Sequence, residues 1–499
     1  MARRTTWLFS LPLLMGMAVY LFSVSQGRKL LQDGDTFWHI AAGQWILQHG
    51  AIPTRDVYSH TMRGAAWTAH EWLSELILAV AHQAGGWPLL VAITALAFTA
   101  TIALLTRALL RWLEPIYVLL FVLLAVVMTV SHLLARPHVL AMPLMMVWTI
   151  ELVHASEANR APRLWLLPVM TLWANLHGGF TLGIALAFAF AIESLLAARR
   201  EQRLAPSAKS WGIFLVLVVA SALLTPHGTQ GLWFTWQTLF ESSYALGRIG
   251  EWRSPNFQTF QPLELWLLGG LALAMYQGLR LPPIRLALLL VLLHLALKHI
   301  RNVELVGLLA PVIVAAPLAT QWRRAQQANR QLEGADRFFR KLAQPAGDGA
   351  VLISLLILAA ATIWLARSRP VEPPEMAAPV LAVQAVQKAG IKGPVLNSYG
   401  WGGYLIYAGI PPFIDGRADI YGDSFFKRYS EALELRSPDA LPNLLTRYKI
   451  TWTLLSPDSA AVSMLDHLPQ WRRLYADETA VVHVNTNSET APEQTGAIK

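Results

Sequence analysis

Gly86-Trp-Pro-Leu-Leu-Val-Ala-Ile-Thr-Ala-Leu-Ala-Phe-Thr-Ala-Thr-Ile-Ala-Leu-Leu-Thr106 is a run of 21 residues without a charged side chain. A helix needs ~17–25 apolar residues to cross ~30 Å of hydrocarbon, so this stretch predicts a membrane span. Outward from it lie ten more such runs, at 7–25, 115–134, 138–155, 163–176, 179–197, 211–226, 263–278, 284–299, 303–320 and 349–366. The 499-residue chain is 55% hydrophobic and only 14% charged, with 20 Trp, a balance that places it in the membrane class. The fifth and sixth runs meet at Asn175-Leu-His-Gly-Gly179, which reads as a tight re-entry turn or as a break within one tilted helix.

The expected fold is therefore mainly α, a polytopic transmembrane helical bundle of eleven spans with a small C-terminal α/β domain. The membrane module covers 1–366, with long outer loops at 26–85 and 226–262 and an inner linker at 321–348. A linker at 367–376, a soluble domain at 377–487 and a disordered tail at 488–499 complete the chain. Trp-rich amphipathic stretches from Trp38 to His49 and from Glu71 to His82 suit helices lying in the membrane interface. Within the soluble domain, Val395-Leu-Asn, Pro412-Phe-Ile-Asp, Thr451-Trp-Thr-Leu-Leu-Ser and Ala480-Val-Val-His-Val read as strands, with helices near 379–389, 439–448 and 459–467. The first run is longer than a signal-peptide core and is read as an uncleaved anchor.

With the N-terminus in the cytoplasm, 18 of the 40 Lys and Arg face inward and 9 face outward, the rest falling in the C-terminal part. That bias predicts a multi-pass membrane protein with its N-terminus in the cytoplasm and its C-terminal domain outside. In so apolar a chain the net charge of +9 reads as a topology signal rather than a nucleic-acid footprint. The absence of Cys excludes disulfides, thiolate metal sites and Cys nucleophiles.

This orientation gathers polar residues on the outer face, where unpaired ionisable groups are costly and functional ones are kept. The first outer loop opens Gln32-Asp33-Gly34-Asp35-Thr36-Phe37-Trp38-His39, in which Asp35 could act as a general base or merely cap a helix. Asp33 could cap or serve as a second carboxylate. The set Asp33, Asp35, His39 and Glu71 could hold a divalent metal, although no fixed spacing marks such a site and no other cofactor is indicated. Lys298, Arg301 and Arg136 stand against the charge bias and suit an anionic headgroup, with snorkelling to lipid phosphates the alternative. Asn175 and His177 could orient a sugar hydroxyl or satisfy a broken helix. Asp415-Gly-Arg417 reads as a salt-bridged loop, and Gly400-Trp-Gly-Gly403 lacks the Lys-Ser/Thr of a phosphate loop.

Asp35-Thr-Phe-Trp-His39, Ile52-Pro-Thr-Arg-Asp56 and His70-Glu-Trp-Leu73 resemble the opening outer loop of the glycosyltransferase C superfamily, in a bacterial branch patterned Asp-Thr-Trp-Trp-His. The similarity continues through Asn175-Leu-His-Gly-Gly179, Glu251-Trp252, Arg301 and Phe413-Ile-Asp-Gly-Arg417. Phe37 replaces the Trp of many relatives, and Asp-Thr stands where the lipid A and protein mannosyl branches have Asp-Glu. The resemblance implies a multipass enzyme that uses a polyprenyl-phosphate or polyprenyl-diphosphate sugar, with Asp35 as base. The expected roles are catalysis by Asp35 with Glu71 and Asp33, donor-phosphate binding by Arg301, Lys298 and Arg136, and sugar or acceptor binding by His39, His70, Asn175, His177 and Glu251. The acceptor would be a glycan, lipid or protein; a polysaccharide polymerase or ligase, and a non-enzymatic flippase or scaffold, are the rival readings.

Overall fold

A computed structural model describes residues 9–240, 243–326, 341–368 and 371–488. Most of the basic stretch expected in the inner linker, at 327–340, and the tail at 489–499 lie outside the described residues.

Among the described residues, six helices are long and apolar enough to cross a membrane: Trp72–Leu109, Pro137–Glu157, Phe180–Arg200, Leu204–Ala222, Ile300–Trp322 and Asp348–Ser368. Shorter apolar helices at Leu11–Ser25, Pro115–Val130, Leu164–Leu176, Pro262–Gln277 and Pro283–Lys298 fall in the remaining five runs. Proline punctuates this pattern as its fixed φ and missing N–H dictate, standing in the first turn of the helices that open at Pro115, Pro137, Pro262 and Pro283. One large apolar core joins these helices, with Phe98, Trp148, Trp173 and Phe190 at its centre. The stretch from Glu71 to His82 is helical, and Trp72–Leu109 is two helices that meet at a kink, where Gly85 and Gly86 leave helical geometry and Gly86 takes a positive φ of 59°.

The C-terminal part carries a four-stranded sheet in the order β1-β2-β4-β3, from β1 (Val395–Asn397), β2 (Trp452–Leu455), β3 (Trp471–Ala476) and β4 (Val481–Asn485). β1 runs parallel to β2, and the other pairs are antiparallel. Helices at Val380–Lys388, Ala440–Arg447 and Ala460–His467 stand where periodicity predicts them. Two expectations change. Pro412-Phe-Ile-Asp415 is buried but is not a strand, because the Asn397 amide takes its backbone bonds, accepting from Phe413 N–H at 2.8 Å and donating to the Ile414 carbonyl at 2.8 Å. β3 was not expected as a strand; its burial is irregular, since Trp471 alone among Trp471–Ala476 is fully buried and the period-2 signal is lost.

The C-terminal domain is stitched to the first loop. Thr61 donates to the Phe413 carbonyl at 2.7 Å, His60 Nε2 lies 2.9 Å from the Val395 carbonyl, and His60 N–H donates to the Pro412 carbonyl. Backbones touch here because both sides carry glycine. A Cβ on Gly34 would stand 2.0 Å from the Gly400 carbonyl oxygen, and one on Gly403 would stand 2.2 Å from that of Gly34.

Candidate active site

The site lies at the end of the bundle that carries the C-terminal domain, where the first loop meets the start of the Pro137–Glu157 helix. Two backbone-anchored contacts bring these segments together: Ala135 N–H donates to the Leu30 carbonyl at 2.8 Å, and the Thr36 hydroxyl donates to the Ala135 carbonyl at 3.1 Å. Arg136, extended at the mouth of its helix, then reaches three carboxylates. Its Nε stands 2.9 Å from Asp33 Oδ2, its Nη1 donates to Glu251 Oε2 at 2.8 Å, and its Nη2 pairs with Asp35. Glu251 extends the chain of charges, accepting from Arg301 Nη1 at 2.9 Å, and Trp252 packs beneath that guanidinium at 4.7 Å.

Asp33 turns one oxygen to the backbone and the other to Arg136. Its Oδ1 accepts the Asp35 N–H at 3.0 Å, ordering the entry to the Asp35–His49 helix, while its other oxygen meets Arg136. Asp35 is not a cap: Gly34 stands at the N-cap position, and the Asp35 side chain points to Arg136. Burial pushes the Asp35 carboxyl up to about 7; Arg136 works against that rise, and the neighbouring charges of Asp33 and Glu251 reinforce it.

A second carboxylate, Glu71, sits among imidazoles. His39 Nε2, His70 Nε2 and His177 Nε2 lie 3.9, 3.7 and 3.5 Å from its oxygens. His177 occupies the break between the Leu167–Leu176 and Phe180–Arg200 helices, and its Nδ1 accepts the Gly179 N–H at 3.1 Å. In the neutral ring that bond puts the proton on Nε2, facing Glu71. Burial lowers His39, His70 and His177, so the carboxyl faces neutral rings, and burial pushes Glu71 itself up to about 7. His138, 6.2 Å from His177 ring to ring, bridges the two clusters.

Not every expected residue converges. Lys298 is exposed at the end of its helix, and no described residue forms an ion pair with it. Asn175 is occupied as a wall: its Oδ1 accepts from Trp72 Nε1 at 2.8 Å, and its amide donates to the carbonyls of Thr171 and Leu224. Among the described residues no group of three or more His, Asp or Glu side chains is disposed to hold a metal ion.

The C-terminal domain supplies the Asp415-Gly-Arg417 loop, salt-bridged as its sequence suggests, together with a distant partner, Asp56, that the sequence does not reveal. Arg417 is 2% exposed, its Nη1 lies 2.8 Å from Asp56 and its Nη2 2.7 Å from Asp415, and its guanidinium is flanked by Tyr58 and Trp67 at 5.1 and 4.8 Å. This buried clasp sets Gly416 directly over Asp35, where a Cβ would stand 1.8 Å from Asp35 Oδ1. Tyr399 donates to the Gly416 carbonyl at 3.2 Å from the same domain. Glu75, 3.7 Å from His39 Nδ1, also escaped notice as a site residue, since one more acidic residue early in a helix gives no local signal.

No family model matches the chain, and no curated protein does. Solved structures do. Archaeal oligosaccharyltransferase AglB from Archaeoglobus fulgidus, in complex with an inhibitory peptide and a dolichol-phosphate, superposes over 89% of this chain and 69% of its own, with a TM-score of 0.51 and 10% identity. ArnT from Cupriavidus metallidurans bound to undecaprenyl phosphate superposes over 97% of this chain and 99% of its own, with a TM-score of 0.50 and 14% identity. Its apo state gives 96%, 99%, 0.50 and 15%. At such identities the likeness is one of architecture: the chain shares the fold of the AglB and ArnT structures.

Proposed function

We propose that the protein is a membrane glycosyltransferase that moves a sugar from a polyprenyl-phosphate donor to an acceptor at the extracytoplasmic face, with inversion. The observation that carries this reading is a carboxylate, Asp35, half-buried at the mouth of the bundle on Arg136, which Glu251 links to Arg301, and held up to about 7. A base with that value is poised to take a proton from a hydroxyl near neutral pH. Arg301 and Arg136 would hold the donor phosphate, with Lys298 an outlying attraction, and Glu71 with His39, His70 and His177 would line the path of sugar and acceptor. The C-terminal domain, clasped over Asp35, would select the acceptor. The charge bias of the loops supports an N-terminus in the cytoplasm of a bacterial inner membrane. The solved AglB and ArnT complexes contain dolichol-phosphate and undecaprenyl phosphate, and the shared fold supports a donor of that class here.

One observation favours Glu71 as base instead: among the described residues its nearest titratable partners are the neutral imidazoles of His39, His70 and His177, whereas Asp35 is ion-paired. The test is release of polyprenyl phosphate by the purified chain, given polyprenyl-phosphate sugars and a bacterial envelope extract. Asp35→Asn should cut the rate by at least ~10²-fold with lipid binding retained, and Glu71→Gln by less. The reverse order assigns the base to Glu71; full activity in both sinks the transferase mechanism.

A further inference from the structure

Two guanidinium groups and three carboxylates share the mouth of the bundle, and the way they are shared is uneven. Asp33 and Asp35 touch Arg136 alone, while Glu251 spans both arginines, one oxygen on each, at 2.8 and 2.9 Å. A carboxylate bridging two guanidiniums has the charge and the two-oxygen geometry of a phosphodiester. We infer that Glu251 occupies the seat of the donor phosphate in the empty protein and must swing away when the donor binds. The inference rests on the polyprenyl-phosphate reading and deepens it.

Three features make Glu251 the one that yields. It is carried on a single short turn, Gly250–Trp252, between extended Ile249 and Arg253. A Cβ at Gly247 or Gly250 would have nothing within 4 Å, so open space lies beside the turn for the Glu251 side chain to enter. That side chain is 22% exposed, slightly more than Asp33 at 17% and Asp35 at 20%, and unlike Arg285, which at 4% is sealed between Glu157 and Glu193. The arginines stay put as it leaves: Arg136 keeps Asp33 and Asp35, and Arg301 keeps Trp252, held through His299 Nδ1 at 2.6 Å from the Trp252 carbonyl and the Ile300 N–H bond to Arg253.

The electrostatics fit an exchange rather than an addition. Burial alone would raise Glu251, but Arg136 and Arg301 overcome it and hold the carboxyl down at about 2, so Glu251 is a full anion at neutral pH. A phosphodiester also carries one negative charge. Swapping one for the other leaves the net charge unchanged, whereas placing a phosphate beside three fixed carboxylates would add repulsion between close, poorly solvated charges.

The exchange makes a counter-intuitive prediction, because removing a charged residue from the site should strengthen binding. In the full chain in detergent, Glu251→Gln should bind undecaprenyl phosphate at least about 10-fold more tightly than wild type, the factor that a single charge-assisted hydrogen bond carries. Glu251→Asp, too short to span both arginines, should fall between them, and it keeps the idea testable should the Gln variant fail to fold. Equal or weaker binding by both variants would overturn the exchange and make Glu251 an organiser of the arginines. Absence of undecaprenyl phosphate binding in wild type and variants alike would instead overturn the donor reading. Inorganic phosphate competing as well as the lipid would overturn the lipid assignment of the seat.

Discussion

Gly416→Ala adds one methyl group, and the structure says where that methyl goes. Its Cβ would stand 1.8 Å from Asp35 Oδ1, 2.7 Å from Asp35 Cγ and 3.0 Å from Trp38 Nε1. Separations under 3.0 Å are essentially never tolerated, so the carboxylate must retreat by roughly 1.2 Å. Gly416 does not stand in the left-handed region, so alanine adds no backbone strain and the perturbation is steric. A misplacement of ~1 Å costs about 10²-fold in rate when a reacting group is moved out of line, and crowding adds ~1–3 kcal/mol of destabilisation. The assay is release of polyprenyl phosphate under saturating donor, together with undecaprenyl phosphate affinity and a thermal melt. We expect a turnover loss of ~10²-fold with the chain still folded. Gly400→Ala supplies the control, because a Cβ there meets nothing within 4 Å, and it should be close to neutral. Wild-type turnover in Gly416→Ala would refute either the seating of the C-terminal domain over Asp35 or the need for Asp35 to be held where it is.

Two more outcomes are expected. The plot of kcat/KM against pH should fall on its acid side through about 7, because a general base works only when ionised and burial holds both Asp35 and Glu71 near that value; an acid limb centred near 4 would mean that neither carboxyl is the base. Arg417→Met should lower stability by ~3–5 kcal/mol, since Asp56 and Asp415 are left buried without their partner, and the melting temperature of the purified chain reads this directly.

How much of this was legible in the sequence varies with the range of the interaction. Each predicted span contains an apolar helix, because long apolar runs have one outcome in hydrocarbon. The Glu71–His82 stretch is helical too, and the Gly85-Gly86 pair after it makes the kink that parts it from the span. Asp33, Asp35, Arg136, Glu251 and Arg301 were each singled out, yet for separate duties. That Arg136 pairs with Asp35, 101 residues away, and with Glu251, 115 residues away, is a fact of tertiary packing with no periodicity behind it. The same holds for Gly416, whose importance is a matter of what it would strike. Its motif was visible; its neighbour was not.

At the opposite end of the bundle, Arg285, itself buried, is bound to Glu193 on one helix, Glu157 on a second and the Ile313 carbonyl on a third. Its own helix runs from there to Lys298, about 20 Å at the usual rise per residue, and arrives beside Arg301. Four rods riveted together at one tip have a fulcrum there, and any rocking is amplified along their length. A tilt of a few degrees at the rivet opens a gap of an ångström or two at the mouth, where a lipid tail would need to slide in sideways. The rivet's job would then be to keep that breathing away from the far side of the membrane, so that the barrier stays sealed while the mouth admits its substrate.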